Sequence, residues 1–178
     1  MDKKQARKEM ITKRLSLDEE TLCCYNENIL NKIEDNIHFK EANTVAVYVS
    51  ARNEVDTKKL MTKYFGKKKI VVPRIEGDMQ FYEIRSFDDL KPGYFGIEEP
   101  VGNQQVSPDD IDVMIIPMLM FDKNKNRIGY GKGFYDRYMA TYKGYKLGIG
   151  YSFQQVEDTF PHQYDIRMDE IITNETIL

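Results

Sequence analysis

The sequence has few of the residues that build disulfides and metal centres. It has two cysteines, two histidines and no tryptophan in 178 residues. Cys23 and Cys24 are adjacent, which is a poor geometry for a structural disulfide and matches neither a C-x-x-C pair nor a zinc spacing. We therefore expect two small, buried or semi-buried side chains. Because His38 has no partner at triad or metal spacing, we expect it to be a helix-end or packing residue.

The sequence also lacks a long apolar run and a strong excess of one charge. No apolar run reaches the length of a membrane span and no signal peptide precedes the first helical pattern, so we expect a cytoplasmic protein with no membrane partner. Lys and Arg number 26 against 29 Asp and Glu, a net charge of -3. This balance argues against a protein that coats nucleic acid. Residues 1–14 are locally basic, and this segment is a candidate contact for an anionic ligand.

Helical patterns alternate with β-rich apolar runs along the chain. The length and the 41% apolar content suit one domain over residues 1–178. Without repeats or linkers, the alternation predicts an α/β fold in three layers, with a mostly parallel, twisted sheet and helices on both faces. Helices are predicted over 2–15, from Ser16 or Asp18 to 35–38, over 57–65 and over 133–141. Strands are predicted over 44–49, 69–74, 113–116, 145–151 and 170–173, with a locally paired strand over 78–84 and a loop over a site at 90–100.

A glycine-rich stretch follows the predicted strand at 113–116. Gly129, Gly131 and Gly133 stand at alternate positions, with Lys132 between the last two and Arg127 just upstream. Glycines let backbone N–H groups approach an anion, so the pattern is that expected of a phosphate cradle. It matches neither the P-loop nor the dinucleotide fingerprint. On spacing alone, a plain glycine-rich turn at a strand-to-helix junction is an equally good interpretation.

The longer run Phe121-Asp122-x-x-x-Asn126-Arg127-Ile128-Gly129-x-Gly131-Lys132-Gly133-Phe134-Tyr135-Asp136 resembles the signature of the 5-formyltetrahydrofolate cyclo-ligases, also called methenyltetrahydrofolate synthetases. The resemblance spans nearly the whole chain, from Lys3 to Thr173. It includes Lys3-x-x-x-Arg7, a glutamate after the first strand, a G-x-x-G-I-x-E-P stretch, and the C-terminal Pro161-His162-x-x-Asp165 and Asp169-Glu170.

The resemblance implies an ATP-dependent ligase. In that family, 5-formyltetrahydrofolate is cyclised to 5,10-methenyltetrahydrofolate, with ATP as a substrate and Mg²⁺ as cofactor, through a phosphorylated formyl group. The implied partners are these small molecules, the folate with or without a polyglutamate tail, and no nucleic acid. We expect a monomer.

The resemblance also implies roles for individual residues. The implied ATP contacts are Lys3, Lys4, Arg7, Arg127, Gly129, Gly131, Lys132, Gly133, Phe134 and Tyr135. The implied folate contacts are Val49, Glu54, Tyr130, Gly131, Lys132, Gly133 and Phe134. Lys132, Arg127 and Tyr135 are the implied catalytic residues, and Asp136 and Asp169 the implied magnesium ligands. On pattern alone, Lys3 and Arg7 also fit a solvated basic helix face, and Asp169 fits a strand-edge carboxylate.

Two positions depart from the family pattern as we expect it. Phe134 stands where a tyrosine is expected, which removes one hydroxyl. Tyr130 stands where an arginine or an aromatic residue occurs, so any cationic role at that position is absent. A relative that binds folate or nucleotide without catalysis is the main alternative. An RNA-binding protein that uses the basic N-terminal helix is another, against which the acidic total argues.

Overall fold

The computed structural model describes residues 2–178, whose strands form one seven-stranded sheet and two short hairpins. The helices are α1 (Lys3–Leu15), α2 (Glu19–Asp35), α3 (Ile37–Glu41), α4 (Thr57–Tyr64) and α5 (Phe134–Met139). The strands are β1 (Thr44–Val47), β2 (Lys69–Glu76), β3 (Asp78–Ile84), β4 (Leu90–Pro92), β5 (Glu98–Pro100), β6 (Gln105–Val106), β7 (Val113–Pro117), β8 (Met120–Phe121), β9 (Arg127–Ile128), β10 (Tyr145–Ile149) and β11 (Glu170–Ile172).

The large sheet has the strand order β11-β10-β7-β1-β2-β3-β6. Neighbouring strands from β11 to β2 are parallel, whereas β3 pairs antiparallel with β2 and with β6. The sheet is therefore mixed but mostly parallel, which confirms the predicted fold class.

Helices cover both faces of this sheet. Successive side chains of β1 alternate between two apolar clusters, with Val47 in one and Ala46 in the other. The Val47 cluster includes residues of α2, α3 and α4, among them Ile33 and Leu60. The opposite cluster contains Tyr138 of α5. The predicted three-layer arrangement is thus confirmed.

The strand order reverses between β1 and β7. The chain leaves β1 toward β2 on one side and leaves β7 toward β10 on the other. The two loops that leave the carboxyl ends of β1 and β7 therefore diverge and open a crevice between them, which is where open α/β sheets bind ligands. The turn with Glu54 and the glycine-rich loop are carried by these two connections.

Several predicted boundaries and environments need correction. The predicted strand 44–49 ends at Val47, and the predicted loop at 90–100 contains the hairpin β4–β5. The prediction that Cys23 and Cys24 are at least semi-buried was wrong, because both are exposed on α2. That helix instead buries Asn26, Ile29 and Ile33.

Two further expectations concern packing and membranes. His38 lies in the short helix α3 and stacks on the ring of Tyr145, with the ring centroids 3.7 Å apart. The prediction of a packing role is confirmed. Within residues 2–178, no helix combines the length and apolar character that crossing a bilayer requires.

Candidate functional site

The glycine loop and helix α1 form one wall of the crevice. Gly131 and Gly133 have φ of 91° and 71°, in the left-handed region that glycine tolerates best. Arg7 of α1 donates from Nε to the carbonyl of Gly129 at 2.8 Å. A Cβ on Gly131 would lie 3.0 Å from Cζ of Arg7. Glycine at position 131 therefore permits the close approach of a guanidinium to the loop.

The predicted lysines lie at different depths around this loop. Lys3 donates from Nζ to the carbonyl of Phe160 at 2.8 Å and lies 4.0 Å from Asp165. Lys4 is exposed on α1. Lys132 is exposed too, with its Nζ 5.8 Å from the ring centroid of Phe95. Among residues 2–178, no carboxylate forms a salt bridge with Lys132, so its charge is available to a ligand.

Arg127 lies beneath the loop rather than on its surface. Its side chain is buried, 3.4 Å from the Asp136 carboxylate and 5.4 Å from the centroid of the Tyr135 ring. Its Nε has no hydrogen-bond partner among the described residues. Burial lowers the pKa of this guanidinium, and the charge of Asp136 opposes the shift. A buried cation with an unused donor suits the support of an anion held on the loop above it.

Two aromatic side chains follow the loop in the first turn of α5. Phe134 packs edge-on against Tyr94, with centroids 6.0 Å apart. Burial raises the pKa of Tyr135 well above its usual range, the charge of Glu54 raises it further, and Arg127 opposes the shift. The hydroxyl of Tyr135 is therefore protonated at neutral pH and can act as a hydrogen-bond donor.

Glu54 lies across the crevice from the loop, in the turn after β1. Its Oε1 accepts from the hydroxyl of Tyr130 at 2.6 Å, and its Oε2 accepts from the N–H of Ala51 at 2.9 Å. Burial raises the pKa of Glu54, while these two hydrogen bonds and the charge of Arg14 lower it; the net direction is upward. Val49, at the carboxyl end of the same strand region, is buried.

Arg14 is a residue of this site that the sequence patterns did not indicate. This side chain is 1% exposed, although it lies on a helix that is otherwise half-buried or exposed. It donates from Nη2 to the hydroxyl of Tyr130 at 2.8 Å and from Nε to the carbonyl of Arg52 at 3.0 Å. Its position two helical turns after Arg7 was the available signal, because a seven-residue spacing keeps both side chains on one face.

Asp122 and Asn126 of the signature run have structural partners. Oδ1 of Asp122 accepts from the backbone N–H and the amide of Asn126, and Oδ2 accepts from the N–H and hydroxyl of Thr159. Burial alone raises the pKa of Asp122, but these hydrogen bonds outweigh it and lower the pKa. Asn126 also accepts from Nε of Arg167 at 3.2 Å. These contacts shape the hairpin β8–β9, which presents Arg127.

The two predicted magnesium ligands have separate partners. Asp136 accepts from the N–H of Ile166 at 3.2 Å and pairs with Arg127. Asp169 precedes β11, at the amino-terminal edge of the parallel strands, where it accepts from the N–H of Lys146 at 2.8 Å. The structure does not bring the two together, and Asp169 matches the alternative of a strand-edge carboxylate. Within residues 2–178 there is no group of three or more His, Cys, Asp or Glu arranged as a metal site.

Comparisons with known proteins agree on one family. The model of the 5-formyltetrahydrofolate cyclo-ligase family matches residues 1–174. A 5-formyltetrahydrofolate cyclo-ligase of Mycoplasma pneumoniae is 30% identical over 180 residues, covering 98% of this chain and 100% of that one. Another, of Haemophilus influenzae, is 31% identical over 156 residues, covering 82% and 81%. The solved structure of Aquifex aeolicus 5,10-methenyltetrahydrofolate synthetase superposes with a TM-score of 0.90, at 34% identity over 99% of this chain and 92% of that one.

Proposed function

Because this chain belongs to the 5-formyltetrahydrofolate cyclo-ligase family, we propose that it converts 5-formyltetrahydrofolate to 5,10-methenyltetrahydrofolate at the expense of ATP. ADP and phosphate are the other products. An N-formyl oxygen is amide-like and leaves badly, so the ring can close only after that oxygen has been converted into a better leaving group.

The proposed reaction has two steps. First, the formyl oxygen attacks the γ-phosphorus of ATP, and the bond between that phosphorus and the ADP oxygen breaks. Second, the lone pair of N10 attacks the formyl carbon, the carbon–oxygen bond breaks with its electron pair, and phosphate leaves. N10 releases its proton to solvent as the five-membered ring closes. Both steps depend on positioning and charge stabilisation more than on a strong acid or base.

The nucleotide phosphates are assigned to the glycine-loop side of the crevice. Arg7 and Lys132 supply positive charge at the loop surface, and Arg127 supports it from beneath. The protonated hydroxyl of Tyr135 is a further donor toward the transferred group. Lys3 and Lys4 extend the positive surface along α1.

The reduced pterin is assigned to the opposite side. A carboxylate can accept about four hydrogen bonds, and Glu54 uses two of these positions, one on each oxygen. The remaining positions suit two neighbouring N–H donors on one edge of a planar ring. Val49 and the glycine-loop residues Tyr130 to Phe134 would line the rest of the pocket.

One observation carries the proposal. The hydroxyl of Tyr130, in the middle of the glycine loop, bonds Glu54 at 2.6 Å. The glycine loop and the Glu54 carboxylate are therefore in direct contact, which supports adjacent nucleotide and pterin sites, as transfer from ATP to a formyl group on the pterin requires. A folate site and a nucleotide site on separate faces could not support this reaction.

Magnesium fits this site only as part of the nucleotide complex. The protein offers Asp136 near the loop, and that carboxylate already pairs with Arg127. Mg²⁺ binds readily through phosphates and water with one or two carboxylates. We therefore assign Mg²⁺ to the ATP phosphates with Asp136 as the candidate protein ligand, where it would offset phosphate charge. The second predicted ligand, Asp169, lies at the amino-terminal edge of the parallel strands and takes no part in this assignment.

The proposal is tested by mixing the purified protein with 5-formyltetrahydrofolate and MgATP. Formation of the conjugated methenyl product is followed by absorbance, with ATP omitted as the control. We expect product only when ATP is present. Folate binding without product would identify a non-catalytic relative, and absence of both binding and product would contradict the assignment.

A further inference from the structure

Arg14 is a buried arginine that has no role in the proposed reaction as described above. Its guanidinium is 1% exposed, and burial of an unpaired charge is costly. It forms no salt bridge with a carboxylate among residues 2–178; its partners are a hydroxyl and a backbone carbonyl. A structural arginine would be stabilised more simply by a neighbouring acid. Because both hydrogen-bond partners of Arg14 are neutral, its positive charge remains available to act on a third group nearby.

The first partner is the hydroxyl of Tyr130. A guanidinium only donates hydrogen bonds, so the Tyr130 oxygen must accept from Arg14. The single proton of that hydroxyl is then directed away from Arg14, toward Oε1 of Glu54 at 2.6 Å. Arg14 thus fixes the direction of the hydrogen bond that Glu54 receives. The arrangement also places a cation behind Tyr130, at a loop position that has no charge of its own.

The second partner is the turn that carries Glu54. Arg52 and Asn53 have φ of 51° and 57°, a conformation that costs energy for residues other than glycine. The N–H of Glu54 bonds the carbonyl of Ala51 at 3.0 Å and closes a four-residue turn. Arg14 donates to the carbonyl of Arg52 within that turn. The same side chain therefore holds both the turn and the loop that contact Glu54.

We propose that Arg14 is a positioning residue for folate recognition, which acts through Tyr130 and the turn at Arg52 to orient the Glu54 carboxylate. The inference rests on the proposed function. With one acceptor position of each oxygen occupied by protein, one further position on each oxygen stays free for a ligand. They are then preset for the paired N–H donors of a reduced pterin, and less ordering is required when folate binds.

The electrostatic surroundings of Glu54 agree with this role. Burial raises the pKa of Glu54, and the Tyr130 hydrogen bond and the charge of Arg14 counteract that shift. Arg14 thus favours the ionised form, which is the form that accepts hydrogen bonds from pterin. The titratable and charged groups that face Glu54 are Arg14 from α1, Arg52 from its own turn, Tyr130 from the glycine loop, Tyr135 from α5, and Tyr48 and Tyr151 from the sheet edge.

The test compares Arg14→Gln, Tyr130→Phe and the double variant with wild-type protein. Lys8→Gln is the matched control, because Lys8 is an exposed cation of the same helix. We expect Arg14→Gln to raise KM for 5-formyltetrahydrofolate about tenfold, in line with loss of a charge-assisted hydrogen bond, with a smaller change in KM for ATP. The acid limb of kcat/KM should move to higher pH, because Glu54 loses a group that lowers its pKa.

The double variant separates positioning from a general structural effect. If Arg14 acts through Tyr130, adding Arg14→Gln to Tyr130→Phe should raise KM by less than it does in the wild type. Fully additive effects, or an unchanged acid limb, would overturn the inference. Should Arg14→Gln fail to fold, Arg14→Lys takes its place, because it keeps a cation but loses the fork that reaches both the Tyr130 hydroxyl and the Arg52 carbonyl. KM for 5-formyltetrahydrofolate should still rise in Arg14→Lys, and an unchanged KM would overturn the inference.

Failure of the proposed function gives a different result. If wild-type protein makes no methenyl product, binding of 5-formyltetrahydrofolate is measured by calorimetry for the same variants. A tenfold weaker binding in Arg14→Gln supports the inference even then, whereas equal binding in wild type and variant refutes it.

Discussion

Lys132 carries a positive charge at the surface of the glycine loop that the protein leaves unpaired among residues 2–178. Its nearest aromatic neighbour, Phe95, is itself 67% exposed. Arg127, by contrast, is buried and paired with Asp136. Of the two predicted catalytic cations, Lys132 is therefore available to contact a ligand at the surface, whereas Arg127 stabilises the loop from beneath. Different responses to substitution follow from that division.

We expect Lys132→Ala to lower kcat by about 100-fold, the scale seen when one preorganised donor to a developing charge is removed. Because Lys132 is exposed, the thermal unfolding temperature should stay near that of the wild type. Turnover is measured by methenyl absorbance and stability by circular dichroism. The matched control is Lys123→Ala, an exposed lysine before the loop. Near-normal turnover of a folded Lys132→Ala variant would falsify the role of this residue.

Glu54 gives a prediction on stability and pH. Its pKa is raised in the folded protein, chiefly by burial. The folded state therefore binds a proton more tightly than the unfolded state, and stability falls as pH rises from the ordinary carboxyl pKa through the raised one. Glu54→Gln removes this loss. In urea unfolding, the stability of Glu54→Gln relative to wild type should improve as the pH rises above the ordinary glutamate pKa of about 4; a constant difference would show that the pKa is not raised.

The sequence identifies individual site residues better than it identifies the side chains that each of them contacts. Arg7 and Glu54, for example, both contact the glycine loop, at Gly129 and Tyr130. Arg14 was missed, and Asp169 was paired with Asp136, for one reason. Which side chains meet across a crevice depends on tertiary contacts that join α1 to a loop 116 residues further along the chain.

In the glycine loop, Gly131 is required both by its backbone conformation and by the close approach of a neighbouring side chain. Gly131 has a φ of 91° and faces Arg7. Gly66 has a similar φ of 77°, but a Cβ there would have no atom within 4 Å. Both glycines therefore have a left-handed backbone conformation, but only Gly131 has a side chain packed close to the position of its missing Cβ.

We expect Gly131→Ala and Gly66→Ala to lose similar stability, about 1 kcal/mol each, from the left-handed backbone. Only Gly131→Ala should raise KM for ATP, because the new methyl group displaces Arg7 from the loop. Urea unfolding and ATP-dependent turnover measure the two effects. An unchanged KM for ATP in Gly131→Ala would show that the Arg7 contact does not matter for nucleotide binding.

Helices and strands were predicted well where apolar residues recur with a clear helical or strand period. Four of the five helices of residues 2–178 and the parallel strands follow from apolar patterns and N-cap residues such as Asp18. The short helix α3 was not predicted as a separate element. The hairpins β4–β5 and β8–β9 were missed, since strands of two or three residues have too few positions to show alternation. Their existence depends on partners such as Asp122, which bonds Asn126 and Thr159 from separate segments.

For the whole molecule, the site is assembled within a single chain. Its contacts join α1, the turn after β1 and the glycine loop of the same protein. We therefore propose that the protein acts as a monomer. Sedimentation velocity should show one species near the mass of the chain, 20.9 kDa. Specific activity should not change on dilution; a loss of activity that tracks dissociation of a larger species would contradict this.

The contacts that close the crevice join distant parts of the sequence. Arg7 and Gly129 are 122 residues apart, and Tyr130 and Glu54 are 76 apart. A chain with an incomplete sheet cannot make them. Substrates therefore bind only to the folded protein, and by mass action they shift the folding equilibrium toward the folded state. ATP or a folate analogue should accordingly act as a chemical chaperone for weakened variants, and stoichiometric titration with such a ligand counts the correctly folded fraction of a preparation.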